Sequence, residues 1–173
     1  KKYGAEVPFI RPVALSDDYT GTLPVIVHAI DWYNQQNIPI EQVCCIYATA
    51  PFIEPDDIIA AHQALDRTGS DFVFAAAEYA YPIQRAIRVN KAQQANMFIP
   101  SNFDIRSQDL EKSYHDAGQF YFGNVDAWIS NKTIFDGNAS VVILPRHRVQ
   151  DIDTLEDWAY AELMFKISRM KNS

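Results

Sequence analysis

The chain has 173 residues, 48% of them hydrophobic and 13% aromatic, which is length and apolar content for one well-cored domain rather than two. A formal net charge of −7 gives no long-range attraction to polyanions, so nucleic acid and membrane surfaces are excluded as expected partners, and any bound phosphate needs a local cluster of basic groups. No apolar run approaches the roughly 20 residues that cross a bilayer, and no basic stretch leads into an apolar one at the start, which together predict a soluble cytoplasmic protein.

Lys1-Lys2-Tyr3-Gly4-Ala5 has the pattern of a helix end leaving through a glycine C-cap, so a further segment is expected upstream. A short extended piece follows from Val7 to Ile10, and Ser16 to Thr22 carries turn and cap chemistry. Leu23, Ile26, Val27, Ile30 and Tyr33 recur at helical spacing behind a first-turn proline, predicting the first helix. The apolar run 43–48 predicts a strand covered on both faces. Its adjacent Cys44 and Cys45 point to opposite faces, where they are expected to be buried free thiols. Pro51 and Pro55 end that run before a second helix from Asp56 to Arg67, and Gly69-Ser70-Asp71 turns the chain into a buried strand from Phe72 to Ala77. Strand, helix and strand in this order predict a right-handed parallel crossover and an α/β fold.

Residues 83–122 change character, with short extended pieces (86–89 and 96–99) and polar connectors, and predict an inserted lobe within a single domain spanning 1–173. Beyond it, 119–125 reads as a strand, 125–131 as a short helix, 141–144 as a last core strand and 155–170 as a closing helix. In open α/β sheets the loops at the carboxyl ends of strands converge on a crevice, so the loops Thr49 to Phe52 and Glu78 to Pro82 are expected to border the site.

Asp151 and Asp153 are two apart, so in extended geometry both carboxylates point one way and suit one hard cation, magnesium being the natural candidate. From spacing alone the same stretch, Asp153-Thr154-Leu155-Glu156, reads rather as a capping box at the start of the last helix, with Asp153 or Thr154 accepting its first amides. Arg85, Arg88, Arg106, Arg146 and Arg148 suit planar carboxylates and phosphates, or a solvated surface. His28 lies beside the apolar stripe of the first helix and reads as structural. His115, ahead of Asp116-Ala117-Gly118, is the better site candidate. No nucleophile elbow, phosphate-cradling glycine loop or zinc-spaced cysteine and histidine set is present in the sequence.

Five segments stand in one order: Arg11-Pro12-Val13-Ala14-Leu15-Ser16-Asp17-Asp18, Tyr47-Ala48-Thr49-Ala50-Pro51-Phe52, Arg106-Ser107-Gln108-Asp109-Leu110, His115-Asp116-Ala117-Gly118-Gln119-Phe120-Tyr121 and Asp151-Ile152-Asp153-Thr154. Together they resemble the CMP-sialic acid synthetase family across essentially the whole chain, and most closely its pseudaminic acid cytidylyltransferase branch. The resemblance implies a Rossmann-like three-layer α/β sandwich of the nucleotide-diphospho-sugar transferase type, with a mostly parallel sheet and an inserted dimerisation lobe. It implies that CMP passes from CTP to the anomeric hydroxyl of a nine-carbon 2-keto sugar acid, pseudaminic acid foremost, for surface-glycan or flagellin glycosylation. By the same resemblance Asp151 and Asp153 are catalytic and hold magnesium. Arg11, Thr22, Tyr47, Ala48 and Thr49 match the nucleotide side, and Arg106, His115, Gln119 and Tyr121 the sugar side. The lobe is expected to reach across a homodimer.

Family members open with a strand and a glycine- and lysine-bearing loop that wraps the triphosphate, and this sequence carries no such loop. Donors of that kind usually supply the largest catalytic term, so the 173-residue chain by itself is expected to turn over little or nothing. The alternatives are a CMP-N-acetylneuraminate, CMP-legionaminate or CMP-KDO synthetase, or a nucleotide- or sugar-binding domain without catalysis.

Overall fold

The computed structural model describes residues 2–135 and 137–171. Lys1 of the expected helix end lies outside them, while Gly4 has the positive φ (+92°) that suits a glycine cap. Helix α1, Thr22–Gln35, carries Pro24 in its first turn and buries Ile26 and Ile30, one turn apart. Helix α2, Pro55–Thr68, starts on its proline, buries Ala61, Ala64 and Leu65, and stops at Gly69 in the left-handed region. Helices α3, Val125–Ile129, and α4, Leu155–Lys171, complete the helical set of the described residues.

The strands are β1 Gln42–Ile46, β2 Phe72–Glu78, β3 Ile87–Val89, β4 Ala95–Met97, β5 Tyr114–Asn124 and β6 Ala139–Leu144. Four of them form the main sheet in the order β1-β5-β2-β6, and β3 with β4 makes a separate antiparallel hairpin. Side chains alternate across the sheet. Val73, Ala75, Phe120 and Phe122 pack with α2 on one face. Phe72, Phe74, Ala76 and Tyr121 pack with Ile26 and Ile30 of α1 and Ala127 and Trp128 of α3 on the other. The result is a three-layer α/β sandwich. Cys44 and Cys45 join opposite layers as free, half-buried thiols.

The expected mostly parallel sheet is corrected to a mixed one. β1, β2 and β6 share a direction, but β5 runs antiparallel between β1 and β2, so among the described residues the one parallel pairing is β2 with β6. The cause lies in the excursion after β2. It leaves and returns at the same edge, where the Tyr79 amide donates to the Ser113 carbonyl at 3.0 Å, and a chain re-entering there can only run back down the sheet. The expected lobe at 83–122 is corrected for the same reason. Residues 79–113 leave the sheet, whereas 114–122 belong to a central, largely buried strand. Among the described residues no helix is long and apolar enough to cross a membrane.

Candidate active site

The carboxyl ends of β1, β2 and β6 meet the start of β5 along one edge of the sheet. A cavity of about 400 Å³ lies on the α1 face of the sheet, with Tyr47 from the carboxyl end of β1 and Thr22, Tyr121, Trp128 and Lys132 in its wall. Thr22 stands in the first turn of α1, and its hydroxyl shares a 2.9 Å hydrogen bond with the Tyr47 hydroxyl. Tyr47 directly follows β1, and its ring packs on that of Tyr121 at 5.4 Å. A turn closed from the Ala50 amide to the Tyr47 carbonyl (3.2 Å) then carries the exposed Ala48 and half-buried Thr49. The structure thus brings Thr22, Tyr47 and Tyr121 together.

The Tyr121 phenol donates to the Asp116 carboxylate, whose other oxygen accepts the Gly118 amide at 3.0 Å. Burial first, and then Asp116, push the phenol far above its ordinary titration range, so Tyr121 stays protonated. Gly118 has a φ of +60°, and a Cβ there would lie 3.3 Å from the Asp151 carboxylate carbon. Asp151 is therefore seated against the strand that presents Tyr121. Asp116 lies in the motif at 115–121 without a sequence signal of its own, since nothing local shows that it meets Tyr121.

Asp151 is exposed, with one carboxylate oxygen accepting the Ile152 amide at 3.1 Å. Asp153 is also exposed, and the cap of α4 does not use its carboxylate. The box is Thr154 with Asp157: the Thr154 amide donates to Asp157 (2.9 Å), and the Asp157 amide donates to the Thr154 hydroxyl (3.2 Å). Two exposed carboxylates with free lone pairs fit magnesium, which is commonly held by one or two carboxylates, with waters and substrate phosphates completing its shell. Among the described residues no group of three or more His, Cys, Asp or Glu is placed to hold a metal, so the chain's share of such a shell is this pair at most.

Other expected residues sit elsewhere. Gln119 is fully buried and donates its amide nitrogen to the Arg148 carbonyl at 2.7 Å, a core tie between β5 and the turn after β6 that leaves its buried Oε1 without a partner. Arg148 is consumed by Asp57 and Glu54. Arg106, on the excursion, pairs with Asp109 through two bonds of 2.7 and 3.1 Å and is not in the cavity wall. Arg11 is exposed, its Nε donating to the Ser16 hydroxyl. His115 packs its ring on Tyr79 and sets Nδ1 2.7 Å from the Asp116 carbonyl oxygen. His28 packs edge-on against Phe9 with its buried Nδ1 lacking a partner, a structural position.

No family model matches the chain. It is similar to the pseudaminic acid cytidylyltransferases of Campylobacter jejuni subsp. jejuni serotype O:2 and serotype O:23/36, at 45% and 44% identity over 167 residues, covering 96% of this chain and 72% of each relative. The CMP-N,N'-diacetyllegionaminic acid synthase of Legionella pneumophila is 26% identical, covering 97% of this chain and 72% of its own length. Among solved structures, CMP:2-keto-3-deoxy-manno-octonic acid synthetase complexed with CTP superposes with a TM-score of 0.54 at 12% identity, covering 88% of this chain and 70% of that one, a likeness of fold alone. With 45% identity along nearly all of its length, the chain belongs to the pseudaminic acid cytidylyltransferase family and is a nucleotidyltransferase.

Proposed function

We propose that this protein transfers CMP from CTP to the anomeric hydroxyl of a nine-carbon 2-keto sugar acid, with pseudaminic acid as the preferred acceptor, for use in surface-glycan or flagellin glycosylation. The observation that carries the reading is 45% identity to a pseudaminic acid cytidylyltransferase across 96% of the chain. The cavity on the α1 face, reached by Tyr47 after β1 and linked to Asp151 through Tyr121, Asp116 and Gly118, supports it.

In this reaction the anomeric oxygen bonds to the α-phosphorus, the bond from that phosphorus to the pyrophosphate oxygen breaks, and the hydroxyl proton passes to solvent water. Asp151 and Asp153 would hold magnesium, which when bound supplies Lewis-acid neutralisation of the phosphate charge. Thr22 and Tyr47, with Ala48 and Thr49 beyond them, form the nucleotide side. Each hydroxyl of the Thr22–Tyr47 pair keeps hydrogen-bonding capacity for a base or ribose. Arg11, anchored through Nε, offers its two Nη nitrogens to phosphate oxygens. His115 and Tyr121 form the sugar side. Arg106 meets the sugar carboxylate of a second copy, in a homodimer joined through the excursion, where Tyr81, Phe98 and Phe103 are 83%, 62% and 66% exposed.

The test is pyrophosphate release by the intact protein with CTP and magnesium, offered pseudaminic, legionaminic, N-acetylneuraminic or KDO acid in turn. Preferred turnover of pseudaminic acid is expected. Preference for another acid overturns the sugar assignment, and no turnover of any overturns the transfer reading.

A further inference from the structure

In a regularly pleated strand, Asp116 and Tyr121 would stand on opposite faces about 17 Å apart. The pairing of β2 with β5 slips instead. Phe74 faces Tyr121 and Ala76 faces Asp116, so two steps along β2 match five along β5, with three residues in surplus. The surplus is taken up around Gly118 at its positive φ, and Ala117 and Phe120 both turn into the α2 layer of the core. Bulges of this kind re-aim side chains and are common beside active sites. Here the outcome is the bond from the Tyr121 phenol to Asp116, with the second Asp116 oxygen held by the Gly118 amide.

That bond fixes a polarity. A phenol has one proton, and Tyr121 has committed it to Asp116, so toward the cavity its oxygen can only accept. We infer that Asp116 is a positioning residue that acts through Tyr121, making Tyr121 an obligate acceptor for an O–H or N–H donor of the sugar acid rather than a donor to its carboxylate. The inference rests on the proposed transfer site. Hydroxyls and acylamino groups are the donors such a sugar presents, whereas carboxylates and phosphates present none, so the pair selects which part of the substrate lies against Tyr121.

The experiment is a double-mutant cycle in the intact protein, with Asp116→Asn, Tyr121→Phe and the double variant, reading KM for the sugar acid, KM for CTP and cooperative melting. Each single change is expected to raise the sugar KM about tenfold or more, with the CTP KM unchanged. The double variant is expected to be no worse than Tyr121→Phe, because one interaction cannot be lost twice. An unchanged sugar KM in Asp116→Asn, effects that multiply in the double variant, or loss of cooperative melting by Asp116→Asn would each overturn the inference. A wild-type protein that turns over no sugar acid overturns the transfer reading and this inference with it. Normal wild-type turnover with an insensitive Asp116→Asn overturns this one alone.

Discussion

Arg148 and Asp57 meet as a two-bond ion pair, Nη1 to Oδ2 at 2.7 Å and Nη2 to Oδ1 at 2.9 Å, with side chains only 18% and 7% exposed. The pair ties the turn after β6 to the first turn of α2, where Asp57 also accepts the Glu54 amide at 3.0 Å. Removing Asp57 takes both short bonds from a largely buried guanidinium and leaves it the more exposed Glu54 at 3.2 Å. Asp57→Ala is therefore expected to cost about 3 to 5 kcal/mol in urea denaturation. A loss below about 1 kcal/mol would mean that Arg148 is free for substrate.

Gly123 is a packing position. A Cβ there would lie 2.5 Å from Cδ1 of Phe72 and 2.8 Å from Nε1 of Trp128, both buried ring systems packed edge to face. Neither ring is a flexible end that can swing aside. Gly123→Ala is expected to destabilise by about 1 to 3 kcal/mol, read as a lowered melting temperature.

Burial, and then the neighbouring Cys45, push the Cys44 thiol up to about 11 from an ordinary 9.0. The folded state therefore keeps a proton that the unfolded chain releases first. Its contribution to stability is complete below pH 9.0 and is lost as pH rises toward about 11. In the native protein, Cys44 is expected to react with an alkylating agent far more slowly at pH 8 than in urea, and equal rates would contradict the assignment.

The start of α4 rests on Thr154 and Asp157. Thr154→Ala is expected to cost about 1 kcal/mol of helix stability, visible as lost helical circular dichroism or faster amide exchange near residues 155–158. The bonds from Thr154 hold the Asp157 carboxyl below its ordinary value of 3.8. For a depressed carboxylate the stabilisation is present above that ordinary value and disappears as pH falls through the folded one. Thr154→Ala should therefore also weaken acid resistance.

Much of the fold was legible because apolar runs and helix caps are local signals. The run at 43–48 is β1, that at 72–77 is β2, and the stripe from Leu23 to Tyr33 is α1, each within two residues of its expected limits. The neighbours of those strands were not legible, since an apolar run says that a strand is buried and not what lies beside it. The expected limits split β5 between a lobe and a strand, and Asp116, Gly118 and Gln119 interrupt the apolar pattern where the two meet. All three interruptions have causes in the bulge: Asp116 holds Tyr121, Gly118 takes the left-handed turn, and Gln119 is buried against the Arg148 carbonyl. The same bulge is what makes Asp116 a site residue that its sequence position does not show. Five positions of separation meant distance, until the surplus residues folded them together.

In sequence the motif Asp151-Ile152-Asp153 suits both a metal pair and a helix cap. Assigning the cap to Thr154 and Asp157 leaves both aspartate carboxylates free of that duty. The most direct measurement of the account is magnesium-dependent CMP-sugar formation by Asp151→Asn in the intact protein, followed alongside thermal melting. Loss of turnover with little change in melting temperature is the expected result. Retained turnover would contradict the placement of the reaction at this edge of the sheet.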